Sequence, residues 1–380
     1  MKVLARIVEA RAWEVVVPAK SGAVNSESLN DPPADWDRMP IVLIELSLDD
    51  GLSALGEVGR GTTLKDVEPW LRQLPGLALS GPSLGCLPAA WRAGFKWGLL
   101  ESHPPALWQS PSPLIGAMEM ALLDWAGRRL GCRAVDLLGG PVRESVPVDY
   151  WCARQTPGDL AQVVARARSL GFDGLKMKSR AGDPVLEQVQ AVKQAGGRGF
   201  GVTIDPMFQW LSPHDALAVL KQLEPFERVR VEDPFPQDRP EYWQRARQAA
   251  AVPLILHARG LDALRRGLQD RYSDEYNCSG SIWEFLSMAH ALEVMGYSCW
   301  HGSGIEMGVA QVAHLHAAAA ARSCALHSDF VSPLVREHTL ITWDWPFERG
   351  ALPLPEGDGL GIRLDYDAVD RYAAAEACCE

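Results

Sequence analysis

Eight side chains in this sequence have types and spacings that could carry chemistry. Lys176 and Lys178 lie two apart in "GLKMK", so a strand would point both the same way, with Met177 opposite. Two like charges on one face lower each other's pKa, and partial burial adds to that. A lysine lowered toward neutrality can take a proton from carbon. The competing reading is a solvated strand end. Asp205 and Glu232 stand at the ends of the next two apolar runs, "GVTID" and "RVRVED". Two close carboxylates want a cation, and hard oxygen ligands suit Mg²⁺. Ion pairs with the lysines or with Arg230 would satisfy them equally. His257 and Arg259 close "VPLILHARG", again two apart and on one side of a strand. His301 precedes "GSGIEMG", which carries Glu306. A lone histidine is more often structural than catalytic, and His290, His314 and His316 read as packing residues in apolar or Ala-rich surroundings.

The elements that must hold these groups follow a rhythm. From residue 146, "VPVDYW", "GLKMK", "GVTID", "RVRVED", "PLILH", "DEYN", "SCWHG" and "ALHSDF" are short strand-like runs separated by helix-like ones. Such alternation predicts parallel strands with right-handed crossovers. Eight units fit a (β/α)8 barrel, with chemistry at the C-terminal strand ends. Those ends carry Lys176 and Lys178, Asp205, Glu232 and Asp233, His257 and Arg259, Asn277, His301, then His327 and Asp329.

Ahead of the rhythm, "IVLIELSLDDGLSALGEVG" reads as a hairpin with an Asp-Asp-Gly turn. "SPLIGAMEMALLDWAGRRLG" reads as a helix with a Ser cap and a closing Gly131. The Pro-rich segment from Pro18 to Pro40 is too long for a simple connection and reads as a flap. Residues after about 345 leave the rhythm. The expected division is a first domain over 1–140, completed by about 345–380, and a barrel over 141–345.

The 380 residues carry a formal charge of −11, which argues against nucleic acid and against anionic membrane surfaces. Eight scattered cysteines without a CxxC fit reduced thiols in a cytoplasmic protein. The first 17 residues are broken by charges and lack a signal-peptide core. No apolar run reaches the roughly 20 residues of a membrane span.

Taken together, these residues resemble the enolase superfamily, specifically its mandelate racemase/muconate lactonizing enzyme family. The hairpin, "AMEMALLDWAGRRLGCRAVDLLGG", "GFDGLKMK", "DPMFQW", "VEDPF", "HGSGIEMGVAQVAHLHAAAA" and "LPEGDGLGIRLD" follow in that family's order. The resemblance implies an α/β fold: a modified, enolase-like TIM barrel under an α+β capping domain built from both chain ends. It implies removal of the proton α to a carboxylate, with a divalent metal, usually Mg²⁺, stabilising the enediolate. Dehydration, racemisation and muconate-type cycloisomerisation are the outcomes it covers. It makes Lys178 the base, Lys176 the residue that lowers its pKa, and Asp205 and Glu232 metal ligands. His301 is similar to the second-face acid/base of the racemase branch, with Glu306 on the substrate or its oxyanion. The flap near Asn25 to Asp37 and the Gly59–Thr63 loop would set specificity. A small carboxylate substrate and a homo-oligomer are the implied partners.

Two positions depart from the pattern. Strand five offers His257, Ala258 and Arg259 where the family places a third carboxylate, and Asp262 falls in the next helix. Strand six lacks the family's lysine or aspartate, leaving Asn277, with Asp274 at its start. Three readings stay open. His257 completes an Asp205/Glu232/His257 site that suits Mg²⁺ less and Mn²⁺, Zn²⁺ or Fe²⁺ more, because imidazole is softer than carboxylate. Alternatively no metal binds and Arg259 pairs with Asp205 and Glu232. In the third, the barrel binds a ligand or is only structural. Arg259, Asn277, Glu306 and Asp329 are the expected substrate contacts. Of the tryptophans, Trp36, Trp151, Trp210 and Trp300 read chiefly as core, partly as pocket lining.

Overall fold

The computed structural model describes residues 3–20, 26, 29, 38–82, 84–87, 113–210 and 212–380. The flap from Asn25 to Asp37, with Trp36, lies outside these except for Ser26 and Leu29. Strands Ala5–Val15, Ile41–Leu48 and Ser53–Val58 form an antiparallel sheet, and the C-terminal strand Ala373–Cys379 pairs with the first of them. The Asp49–Asp50–Gly51 turn is present, with Gly51 at φ 81°. Asp50 accepts hydrogen bonds from Trp125 Nε1 and Arg129 of the helix Ile115–Leu130. That helix starts on Leu114 without a side-chain cap, and the expected cap Ser112 lies outside the described residues. It ends on Gly131 in the left-handed region, as the glycine required.

The helix Ile115–Leu130 also binds the chain ends together. Buried Asp124 accepts from Leu55 of the hairpin and from Leu360 near the C-terminus, at 3.0 and 2.8 Å. Strand Ser53–Val58 lies so close on this helix that a Cβ at Gly56 would sit 2.4 Å from the Ala117 carbonyl oxygen. Gly56→Ala is therefore expected to cost about 1–3 kcal/mol in urea unfolding, the usual range for overpacking. A neutral result would show that the two backbones can separate.

The second sheet is curled and parallel, its seven strands running in sequence order. They are Tyr150–Cys152, Gly174–Lys178, Gly201–Asp205, Val229–Glu232, Leu254–Arg259, Glu275–Ser279 and Cys299–His301. Helices beginning at Pro157, Val185, Pro213, Pro240, Leu261 and Ile282 separate them. Thr156 and Ser212 cap two of these with side-chain oxygens, each followed by a proline in the first turn. Residues 324–329 make two parallel bridges, Cys324 with Cys299 of the seventh strand and Ser328 with Val148, two residues before the first.

Alternation sorts the strand residues into two rows. Leu175, Met177, Val202, Ile204, Val231, Leu254, Leu256, Tyr276 and Cys278 pack under the helices in the main core. Lys176, Asp205, Glu232 and Asn277 occupy the other row and meet inside the curl. Among the described residues no helix is long and apolar enough to cross a membrane.

Two buried glutamates tie the antiparallel part to the helices behind the sixth and seventh strands. Glu57 accepts from the backbone N–H groups of Met307 (2.7 Å) and Ala310 (2.9 Å), at the start of helix Gly308–Ala320. Glu119 accepts from Ser281 Oγ, at the start of helix Ile282–Met295. Burial pushes both carboxyls up to about 8. A folded pKa above the unfolded one gives stability that is complete below the ordinary carboxyl range and is lost as pH rises through about 8. Gln at position 57 stays neutral, so Glu57→Gln should gain stability relative to the native protein between about pH 5 and 8. Urea midpoints that keep a constant gap over that range would contradict this.

Candidate active site

The second strand delivers both lysines to the inner row, but to different depths. The Lys176 side chain is 4% exposed and that of Lys178 26%. Lys176 Nζ sits 2.7 Å from Glu232 Oε2, 2.8 Å from Asp329 Oδ2 and 3.8 Å from Asp205 Oδ2. Burial disfavours its charge, but Asp329, Glu232 and Asp205 outweigh burial and hold the ammonium above its ordinary range. This reverses the direction expected from two neighbouring lysines, because opposite charges surround Lys176 more closely than its like neighbour. Lys178 Nζ donates to Asp205 Oδ2 at 2.5 Å. Despite burial, the two lysines hold the Asp205 carboxylate down to about 2.

Glu232 is fully buried, which pushes its carboxyl up to about 7 although Lys176 pulls the other way. Asn277 Nδ2 donates to Glu232 Oε1 at 2.9 Å, so this residue holds the glutamate and does not face the mouth freely. Asp329 is likewise committed to Lys176. His257 Nδ1 lies 3.5 Å from Glu232 Oε1, and Nε2 lies 2.8 Å from Ser279 Oγ. Burial, then Arg259, keeps the imidazole neutral by lowering its pKa well below the usual value. Arg259 itself is exposed and makes no ion pair with Asp205 or Glu232. The fixed cation among these carboxylates is Lys176, and Arg230 pairs instead with Glu275, at 3.4 Å.

His301 is not brought to this group. It pairs in register with Cys278, the residue after Asn277, and so falls on the opposite face. Its ring packs on Phe285, His314 and Phe330, with centroids at 4.7, 4.3 and 5.7 Å, and neither ring nitrogen has a hydrogen-bond partner among the described residues. Glu306 folds into its own loop, accepting from Ser303 Oγ at 2.6 Å and Gly304 N at 2.5 Å. His327 lies two residues below Asp329 and pairs with Asp149, just before the first strand, at 2.7 Å. Asp274 binds Arg247 at 2.6 Å and the Leu254 amide, at the far end of strand six. His314 and His316 are buried as packing residues, whereas His290 is exposed. Trp151, Trp210 and Trp300 are buried. In the Gly59–Thr63 loop, Thr63 forms a capping box with Asp66 at the helix Leu64–Leu71.

One group placed at a strand end by the sequence was not expected as a metal ligand. Asp233 follows Glu232, so alternation would send it to the opposite row. Its φ of 43° breaks the alternation, and Glu232, Asp233 and His257 each present a ligand atom within 4.8 Å of the others. No periodicity signals such a turn. The pair Asp-Pro after it was the only local hint.

The chain and fold that carry this arrangement have counterparts in known proteins. A family model described as enolase C-terminal domain-like matches residues 159–369. The chain belongs to the enolase superfamily, within the mandelate racemase/muconate lactonizing enzyme family. It is 24% identical over 354 residues to a D-galactonate dehydratase of Xanthomonas oryzae pv. oryzae, covering 87% of this chain and 90% of that protein. It is 28% identical over 269 residues to a chloromuconate cycloisomerase of Cupriavidus necator, covering 68% and 72%. A dipeptide epimerase from Cytophaga hutchinsonii, solved with Mg and the dipeptide D-Ala-L-Val, superposes with a TM-score of 0.79 at 19% identity, covering 99% of this chain and all of that one.

Proposed function

We propose that this protein removes the proton α to a carboxylate of a hydroxy acid or acid sugar, and that Lys178 is the base. The observation that carries this is the unequal pair of lysines on one strand. Lys176 is locked among three carboxylates and cannot accept a proton, whereas Lys178 is open to the mouth and held by one. We read residues 324–329, bridged to the seventh strand and to Val148 just before the first, as the segment that closes the barrel, and the antiparallel sheet as its cap.

The donor set fits a divalent ion: buried Glu232 and Asp233 supply oxygens and His257 a neutral nitrogen. When bound, such an ion stabilises the negative charge that develops on the substrate carboxylate. The chain's own residues do the rest. Lys178 Nζ receives the α-proton, Asp205 orients that amine, and Lys176 stabilises the carboxylates around it. With His301 turned away, no imidazole donor faces the second side among the described residues. The favoured outcome is the dehydration that a single acid/base can complete: the α C–H electrons form the enediolate as Lys178 takes the proton, then expel the β-hydroxyl, which takes that proton back from the Lys178 ammonium and leaves as water.

Incubation in D₂O with a panel of hydroxy acids and acid sugars tests this by ¹H NMR. Loss of the α-proton signal with appearance of a 2-keto product is expected for at least one acid sugar. Turnover with inversion at the α-carbon and no loss of water would replace dehydration by racemisation.

A further inference from the structure

We infer that the substrate carries a second, distal anion, a carboxylate or a phosphate, and that Arg60 and Arg259 bind it at the mouth of the site. The inference rests on the α-proton chemistry proposed above and names its substrate class: a doubly anionic acid sugar in place of a singly charged one. Two guanidiniums from different parts of the fold carry it. Arg259 ends the strand Leu254–Arg259, two residues beyond His257 and therefore in the same row. Two strand steps place it about 7 Å outward of His257. Its register partner is Ser279, at the end of the neighbouring strand. Arg60 comes from the antiparallel part, in the loop after the strand Ser53–Val58. Three residues before it, Glu57 accepts from the Met307 amide at 2.7 Å, which fixes this loop beside Glu306. One residue after it, the Gly61 amide donates to the Pro40 carbonyl at 2.7 Å, and Thr63 is held in its capping box. The loop backbone is thus anchored on both sides of Arg60, while the side chain itself is exposed.

The charges around this pair are unbalanced. Partial burial lowers the Arg60 guanidinium from its ordinary range; Glu306 opposes this and Arg259 adds to it, so the three charges share one neighbourhood. Arg259 in turn helps to keep His257 neutral. Among the described residues neither arginine forms an ion pair or a side-chain hydrogen bond. Glu306 is turned to its own loop, with the Gly304 amide on Oε1 and Ser303 Oγ on Oε2. Elsewhere on the barrel, Arg228, Arg230 and Arg247 are paired with Asp173, Glu275 and Asp274. Two like charges held near each other without a counter-ion repel, and an anion between them relieves this. A guanidinium stays charged at neutral pH, and its planar fork matches a carboxylate or a phosphate in bidentate fashion. An acid sugar with its α-carbon at Lys178 extends outward along the mouth, and a charged far end meets both arginines.

Calorimetric titration of the Lys178→Ala protein in Mg²⁺-containing buffer reads binding without turnover. The probes are aldonic acids, each beside the aldaric acid and the 6-phosphate of the same sugar. At least one aldaric acid or 6-phosphate is expected to bind about 10–100-fold more tightly than its parent aldonic acid, the contribution of one or two charge-assisted pairs. The tighter of the two identifies the distal anion as carboxylate or phosphate. Arg60→Ala and Arg259→Ala should each remove about tenfold of that preference. Both should leave the parent acid's affinity nearly unchanged, whereas a misfolded variant would lose both ligands. Arg259→Lys should keep part of the preference, because it retains the charge without the fork. The inference is overturned by equal affinities for every parent acid and its two doubly charged partners. A preference that survives in the Arg60→Ala/Arg259→Ala double variant overturns it too, as does the absence of binding across the whole panel. The reading of Lys178 as base fails separately, on turnover by the Lys178→Ala protein.

Discussion

Lys178→Ala is expected to slow α-proton exchange in D₂O by about 10²–10⁴-fold, the usual contribution of a positioned general base. The size follows from exclusivity. Lys176 is held charged by Glu232 and Asp329 at 2.7 and 2.8 Å, so it cannot take over. His301 lies on the other face of its strand, against Phe285 and His314. His257 is tied to Ser279. Exchange is measured by ¹H NMR on whichever acid sugar the native protein accepts. Exchange at the native rate in Lys178→Ala would remove this residue from the role of base. Lys178→Arg should also be slow, because a guanidinium stays protonated while preserving the ion pair with Asp205.

The second large effect is on stability. Lys176→Met is expected to cost about 3–5 kcal/mol, because removing one partner of a buried ion pair leaves charges without compensation. Three carboxylates would lose their common cation at once: Glu232, Asp329 and Asp205. Urea unfolding at neutral pH reads the loss. Acid should narrow it. Asp205 is held at about 2 in the folded chain against an ordinary 3.8, so its contribution is present above about pH 4 and disappears toward pH 2. A loss under about 1 kcal/mol at neutral pH would mean that the carboxylates already carry protons there and that Lys176 neutralises little.

The two variants also separate the functional reading from the architectural one. Lys178→Ala should leave the fold intact, since its side chain is partly exposed and its ion-pair partner among the described residues, Asp205, keeps Lys176 at 3.8 Å. Lys176→Met should weaken the fold itself.

The sequence by itself determined the rhythm of strands and helices, the hairpin, and the rank of polar groups at the strand ends. These depend on short-range periodicity, capping and turn residues, which act over a few positions and are written in neighbouring letters. It also determined that Lys176, Lys178, Asp205, Glu232 and His257 would meet, because successive parallel strands place equivalent ends side by side. Only the tertiary structure decided the side of His301, since one residue of register separates the inside of the curl from the helical layer. It decided the charge of Lys176 through Asp329, 153 residues away. It brought Asp233 beside Glu232 and His257 through one backbone dihedral angle. Each of these turns on a partner or an angle set by long-range packing, to which no local pattern of residue types is sensitive.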